Sequence, residues 1–388
     1  VAGWVSPGSL AFGPVPPDPL NACHGGKHGK HGKHGKPEFR PRRGVAPDVT
    51  PTVPVPLSVL DRASVRRGQD PGAAIRDTVR FARRVEELGY HRFWVAEHHS
   101  VPGVAGSAPT VLAAAVAGAT SRIRVGTGGV MLPNHQPLVV AEQFGVLESL
   151  HPGRIDMGLG RSVGFTGGVR GALGRDRDAA ERFGEQVREL LGYFSGDQRV
   201  HPGVHGVPAE GRRVPAFVLA TGAGADLAAE LGLALVIAPV GGVARMAERV
   251  ARYRSTFRPS TMWPCPYVVV ALTVAVGGSA AEARRLLLPE AWSTVYSRTR
   301  GVFPPLEPAE DVLARRLTGK ERTLLDEALR DQVYGTEAEV AARLADLVDR
   351  TGADELLVTM STHDRAEMLD SYTRLARLAS AEPKVPNC

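Results

Sequence analysis

A (β/α)8 barrel is the fold the sequence predicts, and three observations predict it. Eight short apolar segments alternate with helical segments across residues 57–380. Such alternation builds right-handed crossovers and a parallel sheet, and eight units in roughly 320 residues suit a closed barrel. The first strand runs into "RASVRRGQDPG", which lacks the glycine fingerprint that an open doubly wound sheet would place there.

The elements follow in order. "PLSVLD" is a short run with a β-branched centre. "GAAIRDTVRFARRVEELGY" has helical spacing, which puts Ile75, Val79, Ala82, Val85 and Leu88 on one face and stops at Gly89. "RFWVAEHH" is the second strand and "APTVLAAAVAGATS" the second helix. "RIRVGTGGVML" leads to "PLVVAEQFGVLESLH", and "RIDMGLG" to "RDAAERFGEQVRELLGYF". In the second half, "VPAFVLA" precedes "GADLAAELG", and "LALVIAPV" precedes "GGVARMAERVARYRSTF". "PYVVVALTVAV" precedes "SAAEARRLLLPEAW". An irregular insert over about 288–334 follows, expected to act as a lid, with Trp292, Tyr296 and Phe303 either lining a pocket or packing on the barrel. "EAEVAARLADLVDRTG", the strand "ADELLVTM" and the helix "AEMLDSYTRLARLA" close the pattern.

Composition narrows the function classes. At 43% hydrophobic and 23% charged residues the chain is globular in type. No apolar run of about 18 residues is present, so no membrane span is expected. Of the +6 net charge, residues 1–50 contribute +4. The near-neutral remainder has no basic footprint and no recognition motif, which argues against nucleic acid as a partner. Residues 1–56 are rich in Pro and Gly and carry "HGGKHGKHGKHGKPEFRPRR". They read as a disordered extension without a secretory pattern. Its His24, His28, His31 and His34 are alternatively weak metal chelators, as a metal-chaperone tail would need. Residues 381–388 read as a tail. Cys23, Cys265 and Cys388 lie far apart, which argues against a disulfide scaffold or cysteine zinc site and fits a reducing cytoplasm.

Strand C-terminal ends build the active sites of such barrels, and the polar residues fall there. Glu97, His98 and His99 end the second strand. Alternation points Glu97 and His99 one way and His98 the other. His98 suits proton transfer, because an imidazole titrates near neutral pH; a structural Glu–His or Glu–Arg pair at the rim explains the trio equally well. A metal would need Asp61, His135 or Asp156 besides, and the spacing matches no metal signature, so no metal is assigned. Gly128 and Gly129 mark either a tight corner or a close approach by a flat ligand. Arg161, after "GLG", suits a phosphate clamp or a surface ion pair. Thr221, Gly222 and Gly224 open a helix, where N–H groups suit an anion or small residues serve close packing.

Together, "WVAEHH", "RIRVGTGGVMLPNHQPLVVAEQFGVLESLHPGRIDMGLGR", "LAAELGL" and "YGTEAEVAARL…TGADELLV" resemble the bacterial luciferase-like flavin monooxygenase family over about residues 57–380. The resemblance implies a TIM barrel that binds reduced FMN, supplied by a separate flavin reductase, and uses oxygen to oxidise a small or medium organic substrate. It implies a catalytic role for His98 with Glu97 and His99 as neighbours. Gly128–Gly129 would form a non-prolyl cis peptide against the flavin ring, and Arg161, Thr221, Gly222 and Gly224 would contact its phosphate. A homodimer built on early barrel helices is also implied. Two departures stand out. "SVGFTGGVRGALGR" replaces the Pro-Gly-type loop of many relatives, and "ATGAGA" carries one hydroxyl where relatives carry several. They leave room for a non-catalytic flavin-binding protein, and the family also includes deazaflavin-dependent hydride-transfer enzymes.

Overall fold

The computed structural model describes residues 52–220, 222 and 224–380. Eight parallel strands close the barrel: β1 (Leu57–Asp61), β2 (Arg92–Val95), β3 (Arg124–Thr127), β5 (Ile155–Gly160), β6 (Ala216–Ala220), β7 (Ala234–Ile237), β8 (Val268–Val276) and β10 (Glu355–Thr359). The β10–β8 and β10–β1 pairings complete the circle. Two short strands, β4 (Val130–Met131) and β9 (Val333–Gly335), extend β5 and β8. All eight expected strand segments contain a barrel strand.

Side-chain alternation explains the two layers of core. Val59, Phe93, Val95, Val218 and Val270 point outward and pack under the helices. Leu60, Trp94, Phe217, Leu219, Val236, Val269 and Leu357 point inward and fill the barrel. The inward column of β2 runs Arg92, Trp94, Ala96 and, past the strand, His98; that of β1 runs Leu60 and then Arg62. Leu60 is paired with Trp94 across the two strands, so Arg62 and His98 emerge side by side at the barrel's C-terminal end.

The other end is closed by charge. Arg92 donates from Nε to Glu355 at 2.9–3.0 Å and from a terminal nitrogen to Asp156 at 2.8 Å. Arg124 reaches Asp156 at 2.6 Å, Trp94 Nε1 donates to the same carboxylate at 3.1 Å, and the Tyr267 hydroxyl donates to Glu355 at 2.7 Å. Asp156 is fully buried. Burial works against its charge, but the two guanidiniums hold its carboxyl below the usual range. This removes Asp156 from the candidate metal ligands.

Four sequence expectations are corrected. The buried face of α1 (Pro71–Glu87) is Ala74, Thr78, Phe81, Ala82 and Val85, and Ile75 is exposed. Phe81 sets that rotation by meeting Phe93 and Tyr372 edge-on. Val53 and Val55, assigned to the extension, are buried, and Val53 N–H donates to Leu378 O at 2.7 Å; residues 1–51 lie outside the described residues. Cys265 is disulfide-bonded, where the spacing of the cysteines suggests free thiols. Finally, the insert is helical, with α8 (Ala280–Arg300), α9 (Ala309–Leu313) and α10 (Gly319–Arg330). Its Trp292 is buried in the helical layer between two arginine side chains. The 303–306 stretch is fixed to the loops after β1 and β2, through Gly103 N–H to Phe303 O at 2.9 Å and Leu306 N–H to Val65 O at 2.8 Å. It is a built-in wall. No helix among the described residues is long and apolar enough to cross a membrane.

Candidate functional site at the barrel mouth

Parallel strands bring the sequence candidates to one end. His98 follows β2, Gly128 and Gly129 follow β3, Arg161 follows β5, and Gly222 and Gly224 follow β6. The β5 loop touches the β2 end directly: the Phe165 ring stacks over the His98 ring at 6.1 Å and 23°. Thr221 lies outside the described residues.

Glu97 anchors the trio. Its side chain is fully buried. Oε1 accepts from His99 Nε2 at 2.6 Å and His135 Nε2 at 2.8 Å, and Oε2 accepts from the Met131 N–H at 2.8 Å. Burial alone would raise its pKa, but the His135 and His99 hydrogen bonds lead the opposing effects and bring it to about 2. An ionised carboxylate there orients two imidazoles and fixes the segment after Gly129. The three donor atoms lie within 4.8 Å of one another, a spacing that could hold a metal ion. The two short N–O distances are those of hydrogen bonds to one oxygen, which accounts for the cluster without an ion. Asp61, the other metal candidate, accepts instead from Ala63 N–H and the Thr78 hydroxyl.

His98 points the other way, as alternation requires. Its Nδ1 is buried and has no hydrogen-bond partner among the described residues. Burial, reinforced by the charge of Arg62, lowers its pKa to about 3. The ring is therefore neutral at pH 7, with one nitrogen unused.

Packing demands glycine at 129 and favours it at 128. A Cβ on Gly128 would meet Leu60 Cδ1 at 2.6 Å, and one on Gly129 would meet the Gly158 carbonyl oxygen at 2.7 Å. The peptide between them is cis. Gly160, whose successor is Arg161, pairs with Leu219 of β6, which sets Arg161 beside Ala220 at the end of that strand. Arg161 is exposed and has no hydrogen bond or ion pair among the described residues. Gly224 is buried, and a Cβ there would sit 2.8 Å from Ala220 Cβ, so close packing accounts for it. Gly222 is exposed. A flavin would thus find a free cation for its phosphate, a flat side-chain-free backbone, and an orphaned buried nitrogen. These features fit such a group.

Sequence reasoning passed over three residues here. The sequence marks His135 only as a metal candidate, because its pairing with Glu97 joins residues 38 positions apart. Arg62 sits one residue past a strand end, a position that strand counting alone would have flagged. Glu290 lies within helix α8 and gives no signal in the sequence.

Fold and mouth together define a (β/α)8-barrel protein with a preorganised polar site at its strand C-termini. The chain belongs to the luciferase-like monooxygenase family, whose model matches residues 55–355. It is similar to the Bacillus subtilis protein YvbT, with 39% identity over 321 residues, 82% of this chain and 95% of that one. It also resembles the N-acetyl-S-alkylcysteine monooxygenase of Bacillus subtilis, at 38% over 190 residues, 47% of this chain and 56% of the relative. Among solved structures, apo-MsnO8 superposes with a TM-score of 0.74 at 31% identity, covering 86% of this chain and 99% of that one. Membership supports an oxidoreductase.

Proposed function

We propose that this chain is a flavin-dependent monooxygenase that takes reduced FMN and oxygen and oxidises a small or medium organic substrate. One oxygen atom enters the substrate, the other leaves as water, and reduced FMN gives up two electrons and two protons. The observation that carries this reading is His98, neutral and buried, with Nδ1 left without a partner on the inward face of the mouth. Bound FMN supplies the oxygen-reactive centre. This chain's residues do the rest. Arg161 with Gly222 and Gly224 holds the phosphate, and the Gly128–Gly129 backbone offers a flat wall. His98 holds or passes a proton through Nδ1, and Glu97, through His99, His135 and Met131, keeps the wall in place. Phe165 and the fixed 303–306 stretch limit water at the mouth, which protects reactive species from hydrolysis.

The relative's printed substrate makes N-acyl thioethers the first compounds to try. A separate flavin reductase delivers the cofactor in this scheme. The exposed Val111, Val139, Val146 and Leu150 on the outer faces of α2 (Pro109–Ala119) and α3 (Pro137–Leu150) support a homodimer; sedimentation should give twice the chain mass.

The test is anaerobic titration with reduced FMN and with reduced deazaflavin, followed by mixing with oxygen and N-acetyl-S-benzylcysteine. Tight FMN binding and sulfoxide formation that drops at least a hundredfold in His98→Ala support the proposal. Preference for deazaflavin supports hydride transfer instead, and flavin binding without oxygen uptake supports a non-catalytic binder.

A further inference from the structure

Buried polar groups are normally hydrogen-bonded, so an exception near a functional site points to a missing ligand. Arg62 and Glu290 form a largely buried ion pair at the mouth, with side chains still 12% and 16% exposed. A terminal nitrogen of Arg62 donates to Glu290 Oε1. Glu290 Oε2 accepts from Ser361 N–H at 3.1 Å, and the Ser361 hydroxyl accepts from Ser64 at 3.2 Å. The guanidinium is thus held by the ends of β1 and β10 and by helix α8. Its Nε, however, is buried without a hydrogen-bond partner among the described residues, like Nδ1 of His98. The two groups stand on neighbouring inward columns, since Leu60 pairs with Trp94 two and four residues before them.

Charge decides what they would bind. Glu290 already neutralises Arg62, and His98 is uncharged at pH 7. A further buried anion would find no uncompensated cation there and would keep its desolvation cost. A neutral oxygen acceptor would take the Nε–H at little cost. We propose that Arg62, seconded by His98, is a substrate-recognition site for a neutral carbonyl group, a ketone, ester or amide oxygen, with Glu290 and Ser361 as positioning residues. This rests on the monooxygenase reading above and specifies its substrate class.

The experiment uses the full chain with oxidised FMN, and calorimetric titration with three probes. Benzyl methyl sulfide has no carbonyl, N-acetyl-S-benzylcysteamine has a neutral amide, and N-acetyl-S-benzylcysteine adds a carboxylate. The wild type should bind the neutral amide at least tenfold tighter than the plain sulfide, and the carboxylate should add nothing. Arg62→Lys keeps a cation for Glu290 but deletes the donor at Nε. It should shrink the amide preference to under about threefold, as expected for loss of one hydrogen bond to a charged group, with FMN affinity unchanged. If Arg62→Lys folds poorly, the double variant Arg62→Met/Glu290→Met removes both charges together and should show the same loss. Equal binding of sulfide and amide, including no binding of either, overturns the proposal. So does a preference that survives in the variants, or weaker FMN binding in Arg62→Lys, which would give the donor to a flavin carbonyl. Failure of the wild type to bind FMN sinks the flavin reading alone; the same probes on flavin-free protein then still decide the carbonyl preference.

Discussion

Replacing Glu97 by alanine tests the framework of the mouth without touching His98. The wild-type carboxylate accepts three hydrogen bonds, at 2.6, 2.8 and 2.8 Å, in a fully buried position. Removing it orphans two imidazole N–H groups and the Met131 amide. Hydrogen bonds to a charged partner are worth about 1.5–3 kcal/mol each, but coupled bonds in one cluster do not add. Loss of one member of a buried charged cluster costs about 3–5 kcal/mol. With an unfolding entropy of about 2.1 cal/mol/K per residue over roughly 330 residues, that is a fall in Tm of about 4–7 °C. The pH dependence adds a second check. A carboxyl whose pKa is lowered from 4.5 to about 2 on folding stabilises fully above 4.5 and loses that contribution as pH falls toward 2. At pH 3.5 the gap between wild type and Glu97→Ala should therefore narrow by about 1.5 kcal/mol. His98, whose pKa is also lowered, costs stability as pH falls from 6.5 toward 3, but it does so in both proteins and cancels. Urea unfolding of both proteins at pH 7 and pH 3.5 measures each quantity. A gap under 1 kcal/mol at pH 7, or one that does not narrow in acid, refutes the argument that an ionised Glu97 holds this end together.

Three further outcomes follow. Gly129→Ala drives a Cβ to 2.7 Å from the Gly158 carbonyl oxygen, a backbone atom that cannot swing aside; it should destabilise the fold by about 1–3 kcal/mol, read by thermal unfolding, whereas Gly128→Ala meets the end of the Leu60 side chain and should cost less. Arg161→Ala should weaken FMN binding about tenfold or more in fluorescence titration and leave Tm within a degree, because the side chain is exposed and supports nothing else. Arg92→Met strips Asp156 and Glu355 of their shared cation and should cost about 3–5 kcal/mol in urea unfolding while FMN affinity in the residual folded protein holds.

How far the sequence reveals this molecule depends on the range of the interaction concerned. Strand and helix segments come from local periodicity, so all eight barrel strands were legible. So was the division at the end of β2, because alternation alone separates Glu97 and His99 from His98. The rotation of α1 was not legible, since Ile75 and Phe81 compete for the core and only the distant Tyr372 ring decides between them. The insert looked irregular because its helices bury their faces on each other and on the barrel's loops rather than showing one clean stripe. The Glu97–His135 and Arg62–Glu290 contacts join residues 38 and 228 positions apart. No local pattern encodes such pairings; they exist only once the barrel has closed.

The two ends of the barrel handle the same physical problem in different ways, and the difference supports the proposed ligand site. Both ends hold charged groups out of water, where an unpaired one is costly. At the N-terminal end, Asp156, Glu355 and Arg92 are each met by two or more partners, including Trp94 and Tyr267. The charges of that end are satisfied within the chain, although the neutral Ser58 hydroxyl on the same layer has no partner among the described residues. At the C-terminal end the carboxylates are satisfied too, Glu97 by three donors and Glu290 by two. On the inward columns there, Arg62 Nε and His98 Nδ1 have no hydrogen-bond partner among the described residues, and the amide of Asn134, beside His135, is unpaired as well. The charged groups at the N-terminal end are paired, while at the C-terminal end a guanidinium nitrogen and an imidazole nitrogen stay open, which suits an oxygen-bearing partner there.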